Sequence, residues 1–209
     1  YNSVNNKIGV FSRILQSVPC DAGAVAVHTN RRERESLCGM RYSPASNTVR
    51  RTDTSEQPMN TCEAMLELLA DAGVRYLFGN PGSTELPLVD ALVDHPRIDY
   101  ILGLQEVPVM GIAEGYAQAS RTPGVVNLHI SCGLGNGMGM LYNAHRAGTP
   151  LIVTAGQQDR RLAFSEPILW GDMVSVARPW TKWAAEVQRP EDLPRAIRRA
   201  VQTALMPPT

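Results

Sequence analysis

The sequence predicts an α/β fold: a doubly wound, mostly parallel sheet with helices on both faces, preceded by an irregular N-terminal extension. Two observations lead there. From Met59 onward, short apolar runs alternate with stretches of helical length and pattern. The runs themselves ("VRYLFG", "IDYILGL", "GVVNLHI", "PLIVTAG") are almost continuously apolar, as strands covered on both faces must be. Strand–helix alternation in turn implies right-handed crossovers between parallel strands. With 209 residues, 44% of them hydrophobic, the chain can build one domain with a sizeable core.

"NTCEAMLELLADAG" predicts the first helix, with Asn60 or Thr61 as cap and Glu63 in the first turn. Its apolar stripe is Met65, Leu66, Leu69 and Ala72, and Gly73 is the stop. "VRYLFG" follows as a short strand, and "LPLVDALVDH" as a helix closed by Pro96. "IDYILGL" is a strand, Val107–Ser120 a helix of unusually small residues, and "GVVNLHI" a strand. "GMGMLYNAHRAG" reads as a helix, "PLIVTAG" as a strand, and "WTKWAAEV", after a polar loop, as extended. "PEDLPRAIRRAVQTAL" closes as a helix with Leu193, Ile197, Ala200, Val201, Ala204 and Leu205 on one side.

Residues 1–58 have another character, patchy and loaded with Arg, Ser, Asn and Thr. An organelle transit peptide would be poor in acids, yet Asp21, Glu33, Glu35, Asp53 and Glu56 are present. A flexible extension, or translated sequence upstream of a true start at Met59, are the remaining readings. The abrupt onset of patterning favours the second, so the domain is expected over 59–209.

Composition excludes several classes. Net charge is zero and no Lys/Arg stripe stands out, which argues against a nucleic-acid partner. No run of about 18 apolar residues suggests a membrane span. Cys20, Cys38, Cys62 and Cys132 lack metal-ligand or disulfide-framework spacing, so no metal site and a reducing, cytoplasmic setting are expected.

In an open parallel sheet, ligands bind at the carboxyl ends of the strands. Three loops fall there: Gly79–Glu85, Gln105–Val107 and His129–Gly139. In the first, "FGNPGSTE" is a tight turn in which Ser83 and Thr84 read on their own as caps, and Glu85 is able to cap the next helix. In the third, His129 alone reads more readily as a structural residue than as an acid or base. Gly133, Gly135, Gly137 and Gly139 invite a phosphate cradle, but the loop follows a late strand and no acidic residue ends the next one. Close packing explains those glycines as well. Glu106 lies at a seam between an apolar strand and the helix bearing Gly111, Ala113, Gly115, Ala117 and Ala119. So many small residues imply a closely packed neighbour and little water, and a carboxyl group buried without a partner there is costly.

Taken together, "FGNPGSTELP", "LQEVPVMGIAEGYAQASRTPGVVNLH", "GLGNGMGMLYNA" and "PLIVTAGQQ" resemble the N-terminal, pyrimidine-binding domain of thiamine diphosphate-dependent enzymes. The likeness is nearest to the benzoylformate decarboxylase group and more distant to acetolactate synthase large subunits. It implies that Glu106 hydrogen-bonds a ring nitrogen of the cofactor's aminopyrimidine, favouring the imino tautomer that takes the proton from the thiazolium carbon. It implies substrate-carboxylate binding and protonation for Ser83, proton transfer for His129, and cofactor contacts from Asn80, Pro81 and Gly82. The substrate would be a 2-oxo acid, and the assembly a homo-oligomer built through the Val107–Ser120 helix.

Two departures concern the pocket: Thr84 stands where the nearest group has asparagine, and "HISCGLGN" is bulkier than its alanine-rich counterpart. A third is length. The family holds the diphosphate and Mg2+ on a separate C-terminal domain through a Gly-Asp-Gly motif, and these residues supply none. A further strand normally completes the first domain after the position of "LMPPT". The expectation is a fragment, inactive by itself, of a decarboxylase or of an acetolactate synthase-like carboligase. A non-catalytic association domain of the same fold is the alternative from another class, and a nicotinamide-dependent dehydrogenase the least favoured.

Overall fold

The computed structural model describes residues 8–12 and 59–206. It contains a six-stranded sheet in the order β3-β2-β4-β5-β1-β6, every pairing parallel. The strands are β1 (Ile8–Ser12), β2 (Tyr76–Asn80), β3 (Asp99–Leu102), β4 (Gly124–Leu128), β5 (Leu151–Ala155) and β6 (Trp183–Glu186). The helices are α1 (Thr61–Asp71), α2 (Leu86–Val93), α3 (Glu106–Ser120), α4 (Ile130–Ala147), α5 (Met173–Ala177) and α6 (Leu193–Leu205).

The two faces of the sheet are read directly from strand alternation. Leu77, Val125 and Ile152 pack under α1, α2 and α6, among Met65, Leu66, Leu69, Leu88, Leu193 and Ile197. Their neighbours Phe78, Val126 and Val153 point the other way, onto α3, α4 and α5 through Val109, Met110, Ala113, Leu134, Leu141 and Met173. Doubly wound architecture follows. The central strands β4 and β5 are buried along their whole length. β3 lies at a sheet edge, and Leu102 there is left exposed.

Local chemistry explains the helix ends. Asn60 caps α1 by accepting from Glu63 N at 2.9 Å, and the Glu63 carboxylate accepts from Asn60 N at 2.8 Å, a reciprocal pair. Gly73 stops the helix at φ +83°, a conformation open to glycine at no steric cost. On α6 the predicted stripe holds for Leu193, Ile197, Ala200 and Ala204, whereas Leu205 is exposed in the last turn.

Two expectations are corrected. Within residues 1–58, read as an irregular extension, Ile8–Ser12 forms β1 and pairs on both sides, with β5 and β6. The backbone donors and acceptors of those two strands need partners, and an apolar five-residue run can provide them. So short a run carries no periodicity to announce a strand. Residues 1–7 and 13–58 lie outside the described residues. The second correction concerns the segment 129–139, expected as a loop. His129 occupies the N-cap position of α4 without a side-chain capping bond, and Gly133, Gly135, Gly137 and Gly139 all lie inside that helix. A phosphate-cradling loop is therefore absent at this position, and the dehydrogenase reading loses its footing.

Candidate functional site

The chain runs from β2 outward to β3, then returns across β2 to β4 on its other side. α2 covers one face of the sheet and α3 and α4 the other. The strand order therefore reverses at the β2–β4 junction, the place where open parallel sheets bind ligands at the carboxyl ends of their strands. β2 ends at Asn80, β4 ends just before His129, and α3 begins at Glu106 after β3. The residues singled out in the sequence converge there.

Glu106 occupies the first turn of α3, and Gln105 caps that helix by accepting from Val107 N at 2.7 Å. The Glu106 residue is only 6% exposed. Its Oε1 accepts from Asn80 Nδ2 at 3.2 Å and its Oε2 from Asn136 Nδ2 at 3.1 Å. Each oxygen keeps a second lone-pair direction. The carboxyl group is thus held by two side-chain amides, largely out of bulk water, and still able to accept from a ring N–H. That donor and acceptor set fits the aminopyrimidine of a thiamine cofactor.

The glycines of α4 make this geometry possible. A Cβ on Gly133 would lie 3.2 Å from Glu106 Oε1 and 3.5 Å from His129 Cβ, so the three residues meet at one point. A Cβ on Gly137 would press on Met110 Cγ at 3.2 Å and Leu128 Cδ1 at 3.3 Å. Gly135 and Gly139, on the other side of the helix, face open space. Two of the four glycines therefore let α4 approach α3 and the sheet.

His129 is partly buried, and its Nδ1 lies 2.8 Å from Glu85 Oε2 and 3.3 Å from Thr84 Oγ1. Gly82 packs against the imidazole so closely that a Cβ there would fall 2.2 Å from Nδ1. The next residue, Ile130, is fully buried with φ +43°, an unusual conformation for a β-branched residue. Strain of this kind costs on the order of 1–3 kcal/mol and persists only where the surroundings enforce it. Here it marks the junction between β4 and α4.

Ser83 opens a short 3-10 turn, Ser83–Glu85, and is exposed, one residue beyond the glycine that abuts His129. Pro81 links Asn80 to Gly82 in the same turn. The structure thus gathers Asn80, Pro81, Gly82, Ser83, Glu106 and His129 at one rim. It adds three residues that the sequence reading left unassigned as site groups. Asn136 was assigned to a loop, and only its place in α4, between Gly133 and Gly137, aims it at Glu106. Thr84 and Glu85 were read as capping residues, and both are completely buried beside His129.

Residues 59–168 match the family described as thiamine pyrophosphate enzyme, N-terminal TPP binding domain. Benzoylformate decarboxylase of Pseudomonas aeruginosa is 46% identical over 147 residues, covering 69% of this chain and 27% of that protein. The mitochondrial acetolactate synthase catalytic subunit of Aspergillus candidus is 36% identical over 142 residues, covering 68% and 20%. Among solved structures, the thiamine diphosphate-dependent 4-hydroxybenzoylformate decarboxylase of Rhodococcus jostii RHA1 superposes with a TM-score of 0.68 at 41% identity, over 71% of this chain and 28% of that one. The chain spans about a quarter of the length of the relatives it matches.

Proposed function

Because the chain belongs to the family of thiamine pyrophosphate enzyme N-terminal TPP binding domains, we propose that it is the cofactor-activating part of a thiamine diphosphate-dependent 2-oxo-acid decarboxylase of the benzoylformate decarboxylase type. The observation that carries this reading is Glu106: 6% exposed, held by Asn80 and Asn136, and packed against Gly133, which also adjoins His129.

Thiamine diphosphate supplies the electron sink that decarboxylation of a 2-oxo acid requires. Glu106 would hydrogen-bond a ring nitrogen of its aminopyrimidine, accepting from the ring N–H of the imino form, and Asn80 and Asn136 keep the carboxyl group aimed. The turn Asn80-Pro81-Gly82 forms the wall beside that ring. His129 carries protons to and from the reacting carbon, and Ser83, exposed at the rim, binds the substrate carboxylate and relays its proton. Among the described residues no cluster of three His, Cys, Asp or Glu side chains could hold a metal ion. By the family resemblance, Mg2+ and the diphosphate would be held by a separate C-terminal domain.

Homo-oligomerisation through the Val107–Ser120 helix is part of the reading, as is a reducing, cytoplasmic setting. Val107 and Ile112 are exposed along α3, and Gly115 faces open space between turns. Among the described residues no helix is long and apolar enough to cross a membrane.

A chimera tests the proposal. Residues 59–205 replace the matching portion of the Pseudomonas aeruginosa benzoylformate decarboxylase, and turnover of 2-oxo acids is measured with thiamine diphosphate and Mg2+. The chimera should decarboxylate, and Glu106→Gln should slow proton exchange at the cofactor by about 100- to 10,000-fold. A chimera whose proton exchange is unaffected by Glu106→Gln removes the role assigned to that carboxyl group. The chain alone should bind little thiamine diphosphate by calorimetry.

A further inference from the structure

We propose that Glu85 is a positioning residue that sets the tautomer of His129, holding hydrogen on Nδ1 and leaving Nε2 as the nitrogen that exchanges protons. Its use in catalysis rests on the function proposed above; its geometry does not.

Glu85 has 0% exposure. Its carboxylate has four polar partners, two on each oxygen: Gly82 N at 2.9 Å and His129 Nδ1 at 2.8 Å on Oε2, Thr84 Oγ1 at 2.6 Å and Gly156 N at 3.0 Å on Oε1. A carboxylate that merely capped its own 3-10 turn would need only the Gly82 amide. Reaching Gly156 as well ties it to the end of β5, across 71 residues of chain. The group spans the ends of β2, β4 and β5 and has no room to swing away. A Cβ on Gly156 would fall 2.1 Å from Oε1, and one on Gly82 would fall 2.2 Å from the imidazole.

Hydrogen-bond chemistry then selects the tautomer. A carboxylate only accepts, so the contact to Oε2 requires hydrogen on Nδ1. Thr84 gives its hydroxyl hydrogen to Glu85 Oε1, so it too offers Nδ1 a lone pair. Both polar neighbours of Nδ1 are therefore acceptors. Nε2 makes none of the hydrogen bonds among the described residues, and the side chain is 22% exposed. The nitrogen on one side of an imidazole is set by the bond made on the other. His129 is accordingly presented with a bare Nε2, ready to accept a proton from a bound molecule at the rim. Gly82 and the strained Ile130 hold the ring in that orientation.

The experiment uses the 209-residue chain with ¹⁵N in its histidine rings. Long-range proton–nitrogen spectra are recorded at a pH where the imidazoles are neutral, and His129 is assigned through His129→Gln. Free histidine favours hydrogen on Nε2. His129 should instead show the Nδ1–H form in excess by about tenfold or more, on the scale of a charge-assisted hydrogen bond. In Glu85→Gln, whose carboxamide can also donate, the ratio should fall toward one. In Thr84→Val the excess should persist. A native His129 that is mainly Nε2–H overturns the proposal, and so does a folded Glu85→Gln chain with an unchanged ratio. Should Glu85→Gln fail to fold, the native ratio and Thr84→Val still decide. Activity of the chimera bears on the decarboxylase reading and leaves this ratio untouched.

Discussion

Asn80 Nδ2 lies 3.2 Å from Glu106 Oε1, joining the end of β2 to the start of α3 across 26 residues of chain. A buried acceptor deprived of its donor costs about 1–3 kcal/mol. Asn80→Ala should therefore lower the urea-unfolding free energy of the chain by that amount. Asn136→Ala should cost less. Asn136 is exposed and sits within a helix, where alanine recovers part of the loss. An Asn80→Ala chain as stable as the native one removes the claim that Glu106 depends on this amide.

The glycines of α4 separate into two classes. Gly135→Ala adds a Cβ that meets nothing, so it should stabilise the chain by about 1 kcal/mol through helix propensity. Gly133→Ala pushes on Glu106 Oε1 and His129 Cβ and should gain nothing or lose stability. Thermal melts of the two variants side by side provide the check; equal gains would mean that α4 is not packed as described.

Glu114, buried on α3, has its pKa raised above the ordinary 4.5 by desolvation. The folded state then holds this proton to higher pH than the unfolded chain. Its stabilising contribution is complete below the ordinary carboxylate range and is lost as pH rises through the folded pKa. Glu114→Gln, which can still accept from Gln118 Nε2, should match the native chain below pH 4.5 and exceed it in stability at neutral pH. Unfolding curves across that range with a constant difference would contradict the shift.

Cys62 lies on the buried face of α1, and burial, aided by Glu63, pushes its thiol up to about 11. Cys132 is exposed in the first turn of α4. At pH 8, iodoacetamide should alkylate Cys132 in the native chain and Cys62 only after denaturation. Peptide mass mapping distinguishes the two, and native-state labelling of Cys62 would refute its burial.

The doubly wound sheet was legible because strand burial and helix capping are local signals: the Asn60–Glu63 pair and the Gly73 stop need only a few neighbouring residues. The rim was legible too, because parallel strands end on one side whatever their order. What escaped was decided by packing at a distance. Glycine disfavours helices, so "CGLGNGMG" reads as a loop, whereas Gly133 and Gly137 serve the close approach of α4 to α3. Glu85 could be seen to cap a turn, but its reach to His129, 44 residues away, is a tertiary fact. β1 escaped because the need for it lies in β5 and β6 rather than in its own five residues.

The position of β1 also orders events in time. Its slot exists only when two strands from the opposite end of the chain are in place, so most of the loop-closure entropy must be lost before that pairing contributes. Asn80, Glu106, Asn136 and His129, by contrast, belong to elements that follow one another without interruption from β2 to α4. Pulse-labelling hydrogen exchange during refolding should therefore find the rim protected before β1.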